Sequence, residues 1–170
     1  MHIVDTTMFY ANASGGVRTY LEAKQQRMAG LADVRHSVVV PGPLALGARE
    51  QRPERPPAPP LPFSKGYRFP LRPGPWAEAL VALRPDVIEF GDPYVPAWAA
   101  VSAGRRLGVP VVGFYHSDLP ALAASRLGSW TGPFVRTYIR RLYSQCDLVL
   151  APSRTVAAQL LQMGLEQVEH

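Results

Sequence analysis

The chain has 170 residues and a formal net charge of +5 at neutral pH, with 47% hydrophobic and 18% charged residues, so it is one compact domain with a core and not a disordered segment. No apolar run approaches the ~18 residues that span a bilayer, and Met1–Asp5 lacks the basic-then-apolar order of a secretory signal. The single cysteine, Cys146, excludes an internal disulfide and a Cys-based zinc site, and a reducing cytoplasm is the expected compartment.

The first apolar run, His2–Asp5, predicts a strand. Gly16–Leu31 then predicts a helix: Val17, Tyr20, Leu21, Lys24, Met28 and Leu31 follow three- and four-residue spacing, all apolar except Lys24. Ser37–Val40 predicts a second strand, β-branched and without strict alternation, as in strands buried on both faces. Pro41 to Pro75 holds eleven of the eighteen prolines, which removes backbone donors. It reads as an irregular insertion over about 41–62, more simply solvated than a lid, with Leu61–Phe69 recovering as a short strand or hairpin.

Helices over Trp76–Leu83, Val95–Leu107, Gly132–Ser144 and Arg154–Met163 alternate with strands over Asp86–Phe90, Pro110–Tyr115 and Asp147–Ala151. Such alternation predicts an α/β fold: a Rossmann-like, doubly wound, mostly parallel sheet. Ligands of such folds sit at the carboxyl edge of the strands.

Four features reach that edge. Gly15-Gly16 follows the first strand, leaving the backbone bare beside a helix N-terminus that suits an anion. It is neither the dinucleotide fingerprint nor a P-loop, since Arg18 and Thr19 follow. His116 stands just past Pro110–Tyr115, placed to hydrogen-bond a hydroxyl or phosphate. Asp118, two residues before Pro120, reads first as a helix cap. Asp92-Pro93-Tyr94 follows Asp86–Phe90, and Asp92 reads as an N-cap with Pro93 at the first helical position. The face of Glu89 is open at this stage. Ser153 reads as the cap of Arg154–Met163. No carboxylate pair or Ser/His/Asp set stands at a catalytic spacing, so the domain reads as half of a binding cleft.

The charge is carried by sixteen arginines and two lysines, Lys24 and Lys65. Arginine suits oxyanion recognition, but there is no dense basic run or nucleic-acid-binding motif, so nucleic acid is not expected. Trp130, Phe134, Tyr138, Ile139 and Leu142 mix with Arg136, Arg140 and Arg141. Such a helix either lies on an anionic membrane or buries one face with a solvated basic side.

Gly15-Gly16-Val17 after the first strand, the strand ending at His116, and Cys146–Ser153 together resemble the retaining glycosyltransferases of family GT4, which have the GT-B fold. The resemblance covers nearly the whole chain and implies the N-terminal, acceptor-side half of a GT-B enzyme. It implies a nucleotide-diphosphate sugar as donor, a carbohydrate or lipid-linked acceptor, retention of configuration, and neither metal nor cofactor. It also implies that Gly15 and Gly16 approach the donor phosphates and that His116 contacts the transferred sugar. Arg18, Tyr94 and Asp118 are expected at the acceptor or at its charge. The chain ends at Gln167–His170, about where the family enters its donor-binding C-terminal domain, so that domain is expected to be absent and residues 1–170 inactive alone. The expected location is cytoplasmic, with peripheral contact at the inner membrane face through Arg136, Arg140 and Arg141. Two other readings stay open: a single-domain nucleotide- or anion-binding protein, and part of a sugar-nucleotide epimerase of the same fold.

Overall fold

A computed structural model describes residues 1–10, 16–42, 56, 58–60, 66–116 and 118–170. The elements run β1 (His2–Thr6), α1 (Gly16–Ala29), β2 (Arg35–Val39), α2 (Pro73–Ala82), β3 (Val87–Phe90), α3 (Val95–Leu107), β4 (Val111–Phe114), α4 (Leu119–Leu127), α5 (Thr131–Tyr143), β5 (Leu148–Leu150), α6 (Arg154–Gln162) and β6 (Val168–Glu169). The strands form one parallel sheet in the order β2-β1-β3-β4-β5-β6. No helix among the described residues is long and apolar enough to cross a membrane.

The sheet divides the core in two. Val39 belongs to the larger cluster with Trp76, Ile88, Phe90, Ile139, Leu142 and Leu160. Val38 and Val40 join Leu21 in a smaller cluster under α1. Adjacent strand residues point to opposite faces, so the two clusters lie on opposite sides of the sheet. On the α1 side, Val112 and Phe114 pair in register with Leu148 and Leu150, and all four stay only half-buried.

Small residues let α3 approach closely. Ala97, Ala99, Ala100, Ala103 and Gly104 are buried, and a Cβ built on Gly104 would stand 2.3 Å from Val111 Cγ2. α3 closes on Gly108 in the left-handed region, φ 67°, where glycine carries no Cβ penalty. The cap of α6 is as expected, with Ser153 accepting from the Val156 N–H at 3.3 Å.

Differences from the sequence reading have local causes. The second strand begins at Arg35 and ends at Val39, because its register partner β1 begins at His2 and ends at Thr6. Leu119–Leu127 forms α4, the helix expected after the Asp118 cap, and Gly128 with φ 103° separates it from α5. Of the described parts of the proline-rich stretch, Pro41, Gly42, Pro56 and Ala58 are buried, and Pro59 and Pro60 are exposed. The Gly42 N–H donates to the Pro56 carbonyl, and the Phe69 N–H donates to the Pro59 carbonyl. Pro60 and Arg68 form an antiparallel bridge, which accords with a hairpin there, although residues 61–65 lie outside the described residues.

Candidate functional site

β1 lies between β2 and β3, so the chain leaves it on one side and returns on the other. A parallel sheet opens a crevice at such a point, beyond the carboxyl ends of the two diverging strands. Here that crevice is a cavity of about 470 Å³, lined by residues that include Asp5, Thr7, Phe9, Gly16, Tyr20, Tyr67, Glu89, Gly91, Phe114 and His116.

Its floor is ionic. Asp5 and Glu89 are register partners on β1 and β3. Lys24, from α1, reaches down between them, with Nζ 2.8 Å from Asp5 Oδ1 and 2.7 Å from Glu89 Oε2. His36 Nε2 pairs with the other Asp5 oxygen, and the Tyr20 hydroxyl donates to Glu89 Oε1 at 3.2 Å. Burial and the Asp5 charge push the Glu89 carboxyl up, with Lys24 pulling against them. Burial works to lower the Lys24 ammonium, but the two carboxylates overcome it and hold that pKa above its ordinary value. Tyr20 is pushed up to about 12 by burial and the Glu89 charge, so its phenol keeps its proton. The sequence placed Lys24 on the core-facing stripe of its helix but gave no partner for it. In the structure it is the ionic anchor of α1.

The walls are aromatic. Phe9 meets Tyr67 edge-on at 5.9 Å and Tyr94 at 5.6 Å, and Tyr20 lies 5.3 Å from Phe114. Tyr67 comes from the end of the proline-rich stretch, so that stretch contributes a wall to the cavity. Carboxylates below and aromatic faces at the sides suit a neutral ring that presents C–H faces and hydroxyl edges.

His116 lines the cavity as expected from its place after β4. Its Nε2 stands 3.7 Å from where a Gly91 Cβ would be, and its ring is 5.6 Å from Phe114. Burial lowers the imidazole pKa, against hydrogen bonds to the Gly91 backbone and its own. Gly16 opens α1 and also lines the cavity, while Gly15 lies outside the described residues. Arg18 is turned to Glu22 at 2.7 Å and over the Tyr10 ring at 5.8 Å, and is not among the cavity-lining residues. Tyr94 buttresses Phe9. Asp118 serves as the α4 cap, accepting from the Ala121 N–H at 3.0 Å.

Asp92 corrects the sequence reading. The cap position of α3 is Tyr94, with the helix proline at Pro96. Asp92 instead accepts from the Thr7 hydroxyl at 2.5 Å and the Met8 N–H at 2.9 Å, tying the loop after β1 to the loop after β3. Asp-Pro looks like a cap locally, but the partners lie 84 and 85 residues away. Full burial pushes its pKa up to about 6 from an ordinary 3.8, against hydrogen bonds from Thr7, Met8 and Tyr94.

A raised pKa means the folded form holds the proton more tightly. The resulting stability is full below about 3.8 and is lost as pH rises through about 6. At 1.36 kcal/mol per unit this amounts to about 3 kcal/mol. Asp92→Asn removes the titration. Its urea-unfolding free energy should therefore gain on that of the parent by up to about 3 kcal/mol from acid to neutral pH. Parallel pH curves would show that Asp92 does not titrate in the fold.

Residues 14–169 match Glycosyltransferase Family 4. The chain belongs to that family. It is 34% identical over 90 residues to a GDP-mannose-dependent alpha-mannosyltransferase of Mycobacterium tuberculosis, a match that covers 53% of this chain and 24% of that relative. It is 29% identical over 85 residues to the Sulfoquinovosyl transferase SQD2 of Arabidopsis thaliana, covering 50% of this chain and 17% of that one. Sucrose-phosphate synthase from Thermosynechococcus elongatus superposes with a TM-score of 0.73 at 14% identity, over 99% of this chain and 47% of that one. The UDP-GlcNAc 2-epimerase from Neisseria meningitidis superposes at 0.57 and 11% identity, over 99% of this chain and 46% of that one. At such identities these two share the fold. The Family 4 chain therefore spans under half the length of these solved structures.

Proposed function

We propose that this Family 4 chain is the acceptor-side half of a retaining, metal-independent glycosyltransferase of the cytoplasm. In that reading the donor is a nucleotide-diphosphate sugar and the acceptor presents a hydroxyl-bearing ring. The observation that carries it is the cavity between β1 and β3, where Gly16, His116, aromatic walls and a carboxylate floor meet. The domain that would hold the nucleotide lies outside this chain. The relatives named above for GDP-mannose and sulfoquinovosyl transfer support the transferase class; the epimerase shares only architecture.

The parts divide the work by chemistry. Gly15 and Gly16 leave the backbone bare where the α1 N-terminus offers N–H groups to the departing diphosphate. His116, held neutral by burial at ordinary pH, hydrogen-bonds the sugar near the reacting carbon. Phe9 and Tyr67 stack on the acceptor ring, and Glu89, which lines the cavity, accepts a hydrogen bond from one of its hydroxyls. Orientation of two bound reactants adds to the charge stabilisation of the departing diphosphate.

Gly16→Val tests the phosphate role. A Cβ there meets nothing within 4 Å among the described residues, and Gly16 is not among the positive-φ glycines. The fold therefore accepts the side chain, and the loss falls on the ligand. In the parent enzyme, donor KM should rise at least about tenfold, with the unfolding midpoint within the range of a surface change. Normal donor KM in this variant would remove Gly16 from the phosphate site.

A further inference from the structure

The α4–α5 hairpin carries a surface that the cavity does not use. At its tip Leu127, Trp130 and Phe134 are 68%, 69% and 70% exposed, and the two rings meet edge-on at 6.2 Å. The tip is built rather than frayed. The Gly128 N–H donates to the Ala124 carbonyl, and both the N–H and the hydroxyl of Thr131 donate to the Gly128 carbonyl. The indole lies over Gly128, where a Cβ would come within 3.0 Å of its Cδ1, so the turn holds Trp130 outward. Single exposed apolar residues are ordinary, but a contiguous aromatic patch marks an interaction site.

The surrounding charge has one sign. From Leu119 to Ser144 there are four arginines and no Asp or Glu. Arg140 is exposed too, with its guanidinium 3.3 Å from the position of a Gly164 Cβ near the end of α6. Arg126, Arg136 and Arg141 are exposed, and the ion pairs among the described residues do not include them. Spacings of four and seven put Arg141 on the same helical stripe as Trp130 and Phe134.

We propose that this tip docks on an anionic lipid bilayer. Leu127, Trp130 and Phe134 enter the boundary between headgroups and acyl chains. Arg126 and Arg141 lie over the anionic headgroups. A small apolar wedge flanked by like charges matches a charged plane. It is far smaller than the twenty or so residues per side of an ordinary protein interface. Of the three arginines expected from the sequence, Arg141 shares the stripe of the wedge, whereas Arg136 and Arg140, two and six residues from Phe134, lie roughly 160° and 120° round α5 from it. α4 begins two residues after His116, and its nine residues put the tip roughly 13 Å beyond that start. The Tyr138 hydroxyl donates to the Pro93 carbonyl at 2.6 Å, fastening α5 to the loop after β3. Docking therefore sets the cavity edge beside the bilayer, within reach of a lipid-linked acceptor. That consequence rests on the transferase reading; the docking itself does not.

Tryptophan emission tests it on the 170-residue chain. Trp76 is 1% exposed and Trp98 is partly buried with its N–H bonded to Tyr138, so Trp130 is the reporter of a membrane surface. With phosphatidylcholine vesicles containing about a third phosphatidylglycerol, we expect a blue shift and quenching by brominated acyl chains. Binding should weaken at least about tenfold from low to high salt. Trp130→Phe should abolish the quenching but keep sedimentation with vesicles. Trp130→Ser with Phe134→Ser should lose sedimentation, and each of Arg126→Ser and Arg141→Ser should weaken it about fivefold. Equal binding to neutral and anionic vesicles, absence of binding, or quenching that persists in Trp130→Phe would overturn the proposal. So would a tip-dependent dimer in sedimentation velocity that does not bind vesicles.

Discussion

Lys24→Met is expected to destabilise the fold by about 3–5 kcal/mol, because it leaves two buried carboxylates facing each other without their shared cation. The side chains of Asp5 and Glu89 are 4% and 11% exposed, so water does little to replace the ammonium. A loss of that size consumes much of the about 5–15 kcal/mol that holds an ordinary domain. The penalty should have a pH signature. The Glu89 carboxyl is already raised, so its contribution is full below the ordinary 4.5 and is lost as pH rises through the raised value. Removing Lys24 pushes it further up, so the deficit should be greatest at neutral pH and shrink toward acid. If the single variant does not fold, Lys24→Met with Glu89→Gln should recover part of the loss by removing one of the opposed charges. Urea unfolding across pH measures all three. A single variant as stable as the parent at neutral pH would show that the floor charges are not paired as described.

His116→Ala is expected to lower turnover of the parent enzyme at least about tenfold, equivalent to about 1.4 kcal/mol of barrier, with the fold intact. The ring lines the cavity, and its contacts are to the edge of Phe114 and the backbone of Gly91 rather than to the deep core. Because burial lowers the imidazole pKa, it acts as a neutral hydrogen-bonding group. Parent turnover should then be flat through neutral pH and fall only below the ordinary histidine value of 6.5. Turnover of the variant at the parent rate would reduce His116 to a packing residue.

What could be read from the sequence is what local chemistry encodes. Val95–Leu107 ends as expected because Gly108 stops it, although the proline of its first turn is Pro96 and not Pro93. Asp118 and Ser153 are caps because each needs only a backbone N–H three residues on. The edge carrying Gly16 and His116 follows from strand order, since parallel strands deliver their carboxyl ends together. The cavity floor is different in kind. Lys24 meets Asp5 nineteen residues away and Glu89 on another strand, and an isolated lysine on an apolar stripe names neither. Asp92 looks like a cap because the Asp-Pro signal is local, whereas its real partners come from the loop after β1. Tyr67 follows a run of prolines that hides any periodicity, so its place at the cavity wall is set by the bridge between Pro60 and Arg68. The α4–α5 break at Gly128 fits the separate helix expected over Gly132–Ser144.

The proposed function places the acceptor half of a Family 4 enzyme in this chain and the donor half outside it. Calorimetric titration of residues 1–170 with GDP-mannose and UDP-sugars, run beside a transfer assay, tests that division most directly. One glycine turn and one histidine should hold a nucleotide-sugar only at millimolar strength, about 4 kcal/mol, and transfer nothing. Micromolar binding of a nucleotide-sugar, or transfer by this chain alone, would contradict it.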